Sequence, residues 1–361
     1  MDDIGVAVIG FGLAGSVFHA PLIAATPGLR LQALVTSDPE RQRRAGSDYP
    51  GTRVVSTFDH LLKEVDDLQL VVVATPNHLH QPQAIAAMER GLHVVVDKPM
   101  ALSSAEAAAM IATASSRRRL LSVFQNRRFD NDYLLLRQLL GADRLGGVRR
   151  LESRFERWRP DLRPGSWREE LSPGQGGGLL LDLGSHLIDQ ALLLFGQPRT
   201  VYAELAVRRL GARADDDCFV AIGFEGDIYA HLWMSAVTPS VGPRFRISGS
   251  SRALETWGLD PQESQLLRGL LPGGSGFGAA EADQRAELLE RGAWAGSGEQ
   301  LVLPAGRYPD FYSGMAAAIR GEAPVPVPAE AGRAVLRVIE AARLSAATGV
   351  VVAMPAGAPT T

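Results

Sequence analysis

The chain has 361 residues, a little over two domains at roughly 150 residues apiece, so two domains are expected and a single compact unit is not. Lys and Arg total 37 against 40 Asp and Glu; the net charge of −3 excludes a basic footprint for nucleic acid, and 46% hydrophobic with 21% charged residues excludes a disordered chain. The single cysteine, Cys218, excludes an internal disulfide and a thiolate metal cluster, and fits a reducing compartment.

Residues 4–18 carry no charge, but Asp2 and Asp3 precede them and glycines break the run, so they read as mature structure and not as a signal peptide. No stretch approaches the roughly 18–20 apolar residues of a membrane span. A cytoplasmic protein with no membrane or nucleic-acid partner is expected.

Residues 1–125 alternate short β-branched runs with helical segments, the pattern of a parallel sheet covered by helices. Strands are expected at 5–9, 31–35, 54–55, 70–74, 93–96 and 120–124, their continuous Val, Ile and Leu marking burial on both faces. A helix over 79–90 stops at Gly91, and Ser103 with Glu106 spells a capping box for the helix that follows. Beyond residue 125 a helix at 131–140 precedes longer alternating runs at 149–157, 200–208, 217–224, 228–235 and 244–248, interrupted by one helix over 179–195 after the glycine-rich approach 174–178. Residues 269–298 are expected to be a mobile surface excursion, and helices at 311–320 and 329–347, around the linker 324–328, close the chain. The expected architecture is an α/β Rossmann domain with a doubly wound parallel sheet in residues 1–125. An α+β domain on a large, mostly antiparallel open sheet follows in 126–361, for substrate binding and oligomerisation.

The first strand runs into Gly10-Phe11-Gly12-Leu13-Ala14-Gly15 and then a helix, the setting in which a glycine fingerprint means dinucleotide binding. Gly10 permits the tight turn, Gly12 lets pyrophosphate reach the backbone, Gly15 lets the helix pack on the strand, and N–H groups at the helix start meet the phosphates. An acidic residue closing the second strand would hold both ribose hydroxyls of NAD; here Thr36-Ser37 stands there, Asp38 comes late, and Arg41, Arg43 and Arg44 offer charge to a 2′-phosphate. NADP(H) is therefore preferred, with NAD(H) as the alternative. The fourth strand ends in Thr75-Pro76-Asn77-His78-Leu79-His80, a turn expected to line the cofactor pocket, and the fifth in Asp97-Lys98-Pro99, which aims Lys98 at the nicotinamide end. Asn126 is expected to touch the nicotinamide ribose or the substrate.

In the second domain Asp182, His186 and Asp189 fall at i, i+4 and i+7, on one face of a continuous helix. Acid–base chemistry is preferred there over a capping network or a metal site, whose ligand spacing is not met, so no metal is expected.

The sequence resembles the Gfo/Idh/MocA family of sugar and cyclitol dehydrogenases over nearly its whole length. The resemblance is carried by the Gly10 to Gly15 fingerprint running on to Phe18-His19-Ala20-Pro21, by Thr75-Pro76-Asn77, by Asp97-Lys98-Pro99, and by Gly176-Gly177-Gly178 leading to Asp182 and His186. Asn126-Arg127-Arg128-Phe129-Asp130-Asn131-Asp132, Trp167-Arg168-Glu169 and Asp260-Pro261-Gln262-Glu263 are similar to the subgroup of scyllo-inositol dehydrogenases, often NADP-linked. The family motif carries Glu where this chain has Asp97, a carboxylate withdrawn by one methylene.

The resemblance implies hydride transfer between a nicotinamide cofactor and a secondary hydroxyl or keto group of an inositol-like polyol. His186 is then the candidate proton acceptor, Lys98 binds the reacting oxygen and Asp182 orients the pair, although a desolvated Lys98 is an alternative base. The two groups must converge on one carbinol. Arg128 and Trp167 are the preferred polyol contacts among Arg127, Arg128, Trp158, Arg159, Trp167 and Arg168. The alternatives are a catalytically silent dinucleotide-binding regulator and a glycosidase with transient oxidation on the same fold. A homodimer or higher homo-oligomer is expected, burying the sheet face of Val201, Leu205 and Val207.

Overall fold

The structure, a computed structural model, describes residues 2–163, 165 and 167–355 and omits the side chains of Glu64, Trp167 and Arg168. Two units result. The first takes the chain up to Asn126 together with Pro261–Gly278 and Arg307–Arg333; the second takes Arg127–Asp260, Ala279–Gly306 and the chain from Ala334 on. The boundary near residue 125 is therefore the first of several crossings, because two later stretches return to the nucleotide unit.

In the first unit β1 (Ile4–Ile9), β2 (Leu29–Val35), β3 (Arg53–Val55), β4 (Leu68–Val73), β5 (His93–Asp97) and β6 (Leu121–Phe124) form one parallel sheet in the order β3-β2-β1-β4-β5-β6. Val71, Val72, Val73, Val94, Val95 and Val96 are all fully buried, as strands sandwiched between helices require. The order reverses between β1 and β4, which opens a crevice at their carboxyl ends. Beside β6 the returning chain adds a rung: the Ser122 hydroxyl donates to the Val327 carbonyl at 2.8 Å. The helix Ser104–Arg117 is capped by Ser103, whose hydroxyl accepts the Glu106 N–H at 3.1 Å, while Glu106 accepts from Leu102 at 2.9 Å and so closes the box one residue early.

The second unit is a nine-stranded sheet of β7 (Val148–Glu156), β8 (Thr200–Ala206), β9 (Asp217–Gly223), β10 (Tyr229–Ser235), β11 (Phe245–Gly249), β12 (Ala253–Trp257), β13 (Arg285–Leu289), β14 (Glu299–Leu301) and β15 (Val352–Ala353). Its order is β14-β13-β12-β11-β7-β10-β9-β8-β15, antiparallel at every pair except β7 with β10. One face buries Val201, Ala203, Val220, Ile222, Leu232 and Met234 under the helices Gly184–Phe195 and Ala329–Thr348. The other face sets Phe219, His231 and Trp233 together, with Arg154 4.1 Å over the Trp233 ring.

Val201, opposite Ile222, is fully buried on the helix-covered face, Leu205, opposite Cys218, is half-buried, and Val207, past the end of β8, is exposed. Two expectations are corrected. Residues 269–298 are no featureless excursion: β13 lies within them, with Ala286, Leu288 and Leu289 buried. The helix over 179–195 is two, Leu179–Asp182 and Gly184–Phe195, broken at Leu183, where the segment Pro173–Asp182 meets Gly184–Phe195 at 59°, so Asp182, His186 and Asp189 do not share one continuous face. No single helix among the described residues is long and apolar enough to cross a membrane.

Cys218 lies on the covered face of β9, 3% exposed, and burial followed by the Asp215 carboxylate pushes its thiol far above the usual range. The native protein should therefore leave Cys218 unmodified by a thiol-specific reagent and release one reactive thiol on denaturation; rapid titration of the folded protein would contradict this placement.

Candidate active site

In the nucleotide unit the first strand ends where backbone meets backbone. Gly10 has φ +96°, and a Cβ there would lie 2.8 Å from the Ala74 carbonyl carbon; one on Gly15 would press into the Gly10 carbonyl. Gly12 differs: the nearest atom to its missing Cβ is Arg41 Nη1, at 3.6 Å, so its face is open. A side chain would fill that space, which fits a pyrophosphate lying against bare backbone. Leu13 is half exposed beside it, Ala14 begins a π-helical turn, Ala14–His19, and the α-helix Ala20–Ala24 continues it. Phe11 is buried edge-on to Tyr49, centroids 6.3 Å apart, with the Arg44 guanidinium 5.7 Å from its ring.

At the end of β2 the Thr36 side chain is buried and Ser37 is exposed. The Asp38 carboxylate turns to cap the helix Pro39–Asp48, accepting from Glu40 at 2.9 Å and Arg41 at 3.0 Å; the Arg41 N–H chiefly holds its carboxyl below the usual range. Asp38 is thus committed to a helix start, and Arg41 is the charged group beside the glycine turn.

The turns after β4 and β5 are tied to each other. Thr75 donates its hydroxyl to Gln83 at 2.7 Å, Pro76 is half-buried, and Asn77 is buried. His80, expected at the cofactor, is 1% exposed, with Nδ1 2.9 Å from the Pro99 carbonyl and Nε2 2.8 Å from that of Thr75. Its ring is a strap between turns, and burial lowers its pKa against the opposing pull of Asp97. Asp97 accepts the Lys98 N–H at 2.9 Å and lies 3.7 Å from His19 Nε2, while His19 Nδ1 meets the Tyr312 hydroxyl at 2.7 Å. Burial raises the Asp97 pKa, but His19, Lys98 and His80 outweigh it and hold the carboxyl low. Lys98 is half-buried at the strand end, its peptide to Pro99 cis, and Asn126 is buried after β6.

In the second unit His186 is buried at the start of the helix Gly184–Phe195, its ring edge-on to Phe155 with centroids 6.3 Å apart. Asp182 is half-buried at the end of Leu179–Asp182. Arg128, expected at the polyol, is consumed elsewhere: Nε and Nη2 donate to the two Asp189 oxygens at 2.7 and 2.6 Å, a bidentate pair inside the unit. Burial works against its charge, and Asp189 more than restores it. Arg127 similarly reaches Asp130 at 3.4 Å and lies over Phe155. Trp158 is 58% exposed, and the side chain of Trp167 lies outside the described residues.

Arg157 was missed. It extends the β7 alternation of Ser153 and Phe155, is half-buried, and its Nε has no hydrogen-bond partner among the described residues. Burial, then Arg159, lowers its pKa, and Asp182 is the first carboxylate to oppose that. His19, Tyr312 and Gln83 were likewise not singled out as pocket supports, since they meet their partners only in the folded unit.

Asp189→Ala should strand the Arg128 charge inside the unit and cost about 3–5 kcal/mol in denaturant unfolding, with Arg128→Ala similar. A loss below about 1 kcal/mol in both would contradict a structural role for the pair.

Residues 4–125 match the profile described as the oxidoreductase family's NAD-binding Rossmann fold, and residues 137–354 that described as its C-terminal alpha/beta domain. The chain is 39% identical over 341 residues to the uncharacterized oxidoreductase YdgJ of Escherichia coli, covering 94% of this chain and 95% of that protein. It is 34% identical over 345 residues to the scyllo-inositol 2-dehydrogenase (NADP(+)) IolW of Bacillus subtilis, covering 95% and 93%. Among solved structures it is similar to the YvaA protein of Bacillus subtilis, with TM-score 0.91, 33% identity, and coverage of 98% and 99%.

Proposed function

Because the chain belongs to the Gfo/Idh/MocA oxidoreductase family through both of its units, we propose that it is an NADP(H)-preferring dehydrogenase acting on a secondary hydroxyl or keto group of an inositol-like polyol. The open face of Gly12, at the carboxyl end of the same sheet that ends in Lys98, carries this proposal.

Bound there, the nicotinamide ring supplies the acceptor for the hydride of the carbinol carbon. Gly10, Phe11, Gly12, Leu13, Ala14 and Gly15 would hold the pyrophosphate, Thr75, Pro76 and Asn77 would line the cofactor pocket, and Asn126 would meet the nicotinamide ribose or the substrate. Ser37 and Arg41 would hold the adenosine ribose, where the Arg41 guanidinium would supply a charge-assisted hydrogen bond to a 2′-phosphate. In this reading Lys98 is the nucleotide unit's group for the reacting oxygen and His186 the second unit's acceptor of the hydroxyl proton, with Asp182 as its orienting carboxylate. Arg157, with Nε uncommitted among the described residues, replaces Arg128 as the guanidinium for a polyol oxygen. The 34% identity to IolW, a scyllo-inositol dehydrogenase by name, supports the cyclitol class and the NADP preference. Self-association belongs to the same proposal, through the Phe219, His231 and Trp233 face; light scattering should show a multiple of 38.6 kDa.

The test is reduced-nicotinamide absorbance with either cofactor against a panel of inositols and sugars, together with Lys98→Met and His186→Ala. Each variant should lose about two to four orders of magnitude in turnover and keep cofactor affinity within about twofold. Near-wild-type rates in both variants would overturn the assignment. Tight cofactor binding without turnover points to a regulator, and sugar release without net reduction to a glycosidase. Arg41→Ala should raise the KM for NADP at least about tenfold and leave that for NAD nearly unchanged; equal effects would refute the 2′-phosphate contact.

A further inference from the structure

We propose that Asp215, two residues before β9, is a positioning residue that sets where Asp182 and His186 stand. The inference rests on the dehydrogenase roles given above for those two side chains.

The helical turn Leu179–Asp182 begins inside the unit: Leu179 and Leu180 are 6% and 0% exposed, so the N–H groups opening the turn cannot be left to water. Asp215 takes both. Its main-chain carbonyl accepts the Leu179 N–H at 2.8 Å, and its carboxylate accepts that of Leu180 at 2.7 Å. Leu183 in turn donates to Leu179 at 2.8 Å, and His186 donates to Leu183 at 3.1 Å, so backbone hydrogen bonds run from the clamp to the imidazole-bearing residue.

Two neighbours are built around the clamp. Gly178, with φ +98°, comes so close that a Cβ would lie 2.8 Å from the Asp215 carboxyl carbon and 2.9 Å from Oδ2, so a side chain there would displace the carboxylate. The Cys218 thiol donates to the same Oδ2 at 3.2 Å, which gives the buried cysteine a use as a donor. The next residue secures the surrounding loop: Asp216 accepts from the Arg208 and Arg209 N–H groups at 2.7 and 3.0 Å and pairs with the Arg209 guanidinium, which reaches Glu169 at 3.3 Å. The bend at Leu183 needs such a clamp, because a four-residue turn has too few internal hydrogen bonds to fix its own direction. A carboxylate and an imidazole misplaced by about 1 Å lose on the order of a hundredfold in rate.

The experiment compares Asp215→Ala and Asp215→Asn in the full chain. Asp215→Ala should lower kcat about ten- to a hundredfold, leave the cofactor KM within about twofold, and speed amide exchange in the Leu179–Leu180 segment at least about tenfold. It should also shift the NMR titration of His186 and not that of exposed His60. Asp215→Asn keeps an oxygen of the same reach and should restore most of each property. Gly178→Ala, which crowds the carboxylate without removing it, should give the alanine signature if Asp215→Ala does not fold. Unchanged exchange would overturn the clamp. Faster exchange with kcat within threefold of wild type and an unmoved His186 titration would overturn its positioning role. Should wild-type protein turn over no polyol, the function proposal fails, and exchange with the His186 titration still decides the clamp.

Discussion

The cost of burying charge shapes this protein: Arg128, Asp189, Asp216 and Arg244 are each held by more than one contact. An ion removed from water loses several kcal/mol of solvation, which a single loose contact does not return. The bidentate Arg128–Asp189 pair meets the condition with two short hydrogen bonds. Arg244 meets it with Ser153, Gln190 and Asp132 together, and with the faces of Phe155 and Phe245. Asp216 does so by taking two backbone N–H groups and one guanidinium.

The same constraint marks what the sequence could show. The glycine fingerprint is local: a turn, a close approach and a helix start lie within six residues, and each glycine has one geometric reason. The valine-rich strands are legible because burial on both faces removes every polar position. The strands β12, β13 and β14 were missed. They are short, and their residues alternate apolar with charged ones such as Glu255, which Arg246 reaches across the sheet at 2.7 Å, and Glu287, which accepts loop N–H groups. Helical periodicity ran through Leu183 because a spacing of 3.6 residues does not register a bend. Only the burial of the next turn against Met234, with Gly184 lacking a side chain, explains why the chain turns there.

Arg128 shows the harder limit. An arginine in a run of polar residues at a domain boundary reads as a ligand contact. Its partner lies 61 positions along the chain, and no local pattern names it. His80 is the converse case: its spacing from the Thr75-Pro76-Asn77 turn is right for a cofactor contact, but both ring nitrogens face main-chain carbonyls that sequence does not display. Long-range pairing therefore decides which polar residues of a motif remain chemical, while the motif itself decides only where the backbone goes.

Asp97 joins these lines. Where the family carries Glu, this chain has a side chain one methylene shorter, and the structure places its carboxylate against the following N–H and near His19. His19 is fully buried and held from its other nitrogen by Tyr312, whose phenol is pushed well above its ordinary pKa by burial and then by the Asp97 charge. Tyr312 comes from the stretch that rejoins the nucleotide unit late in the chain, on the helix Pro309–Ile319. The Asp97 carboxylate sits among His19, Lys98 and His80. There His19, Lys98 and His80 together hold its carboxyl low, and the returning helix, through Tyr312 and His19, supports the end of β5.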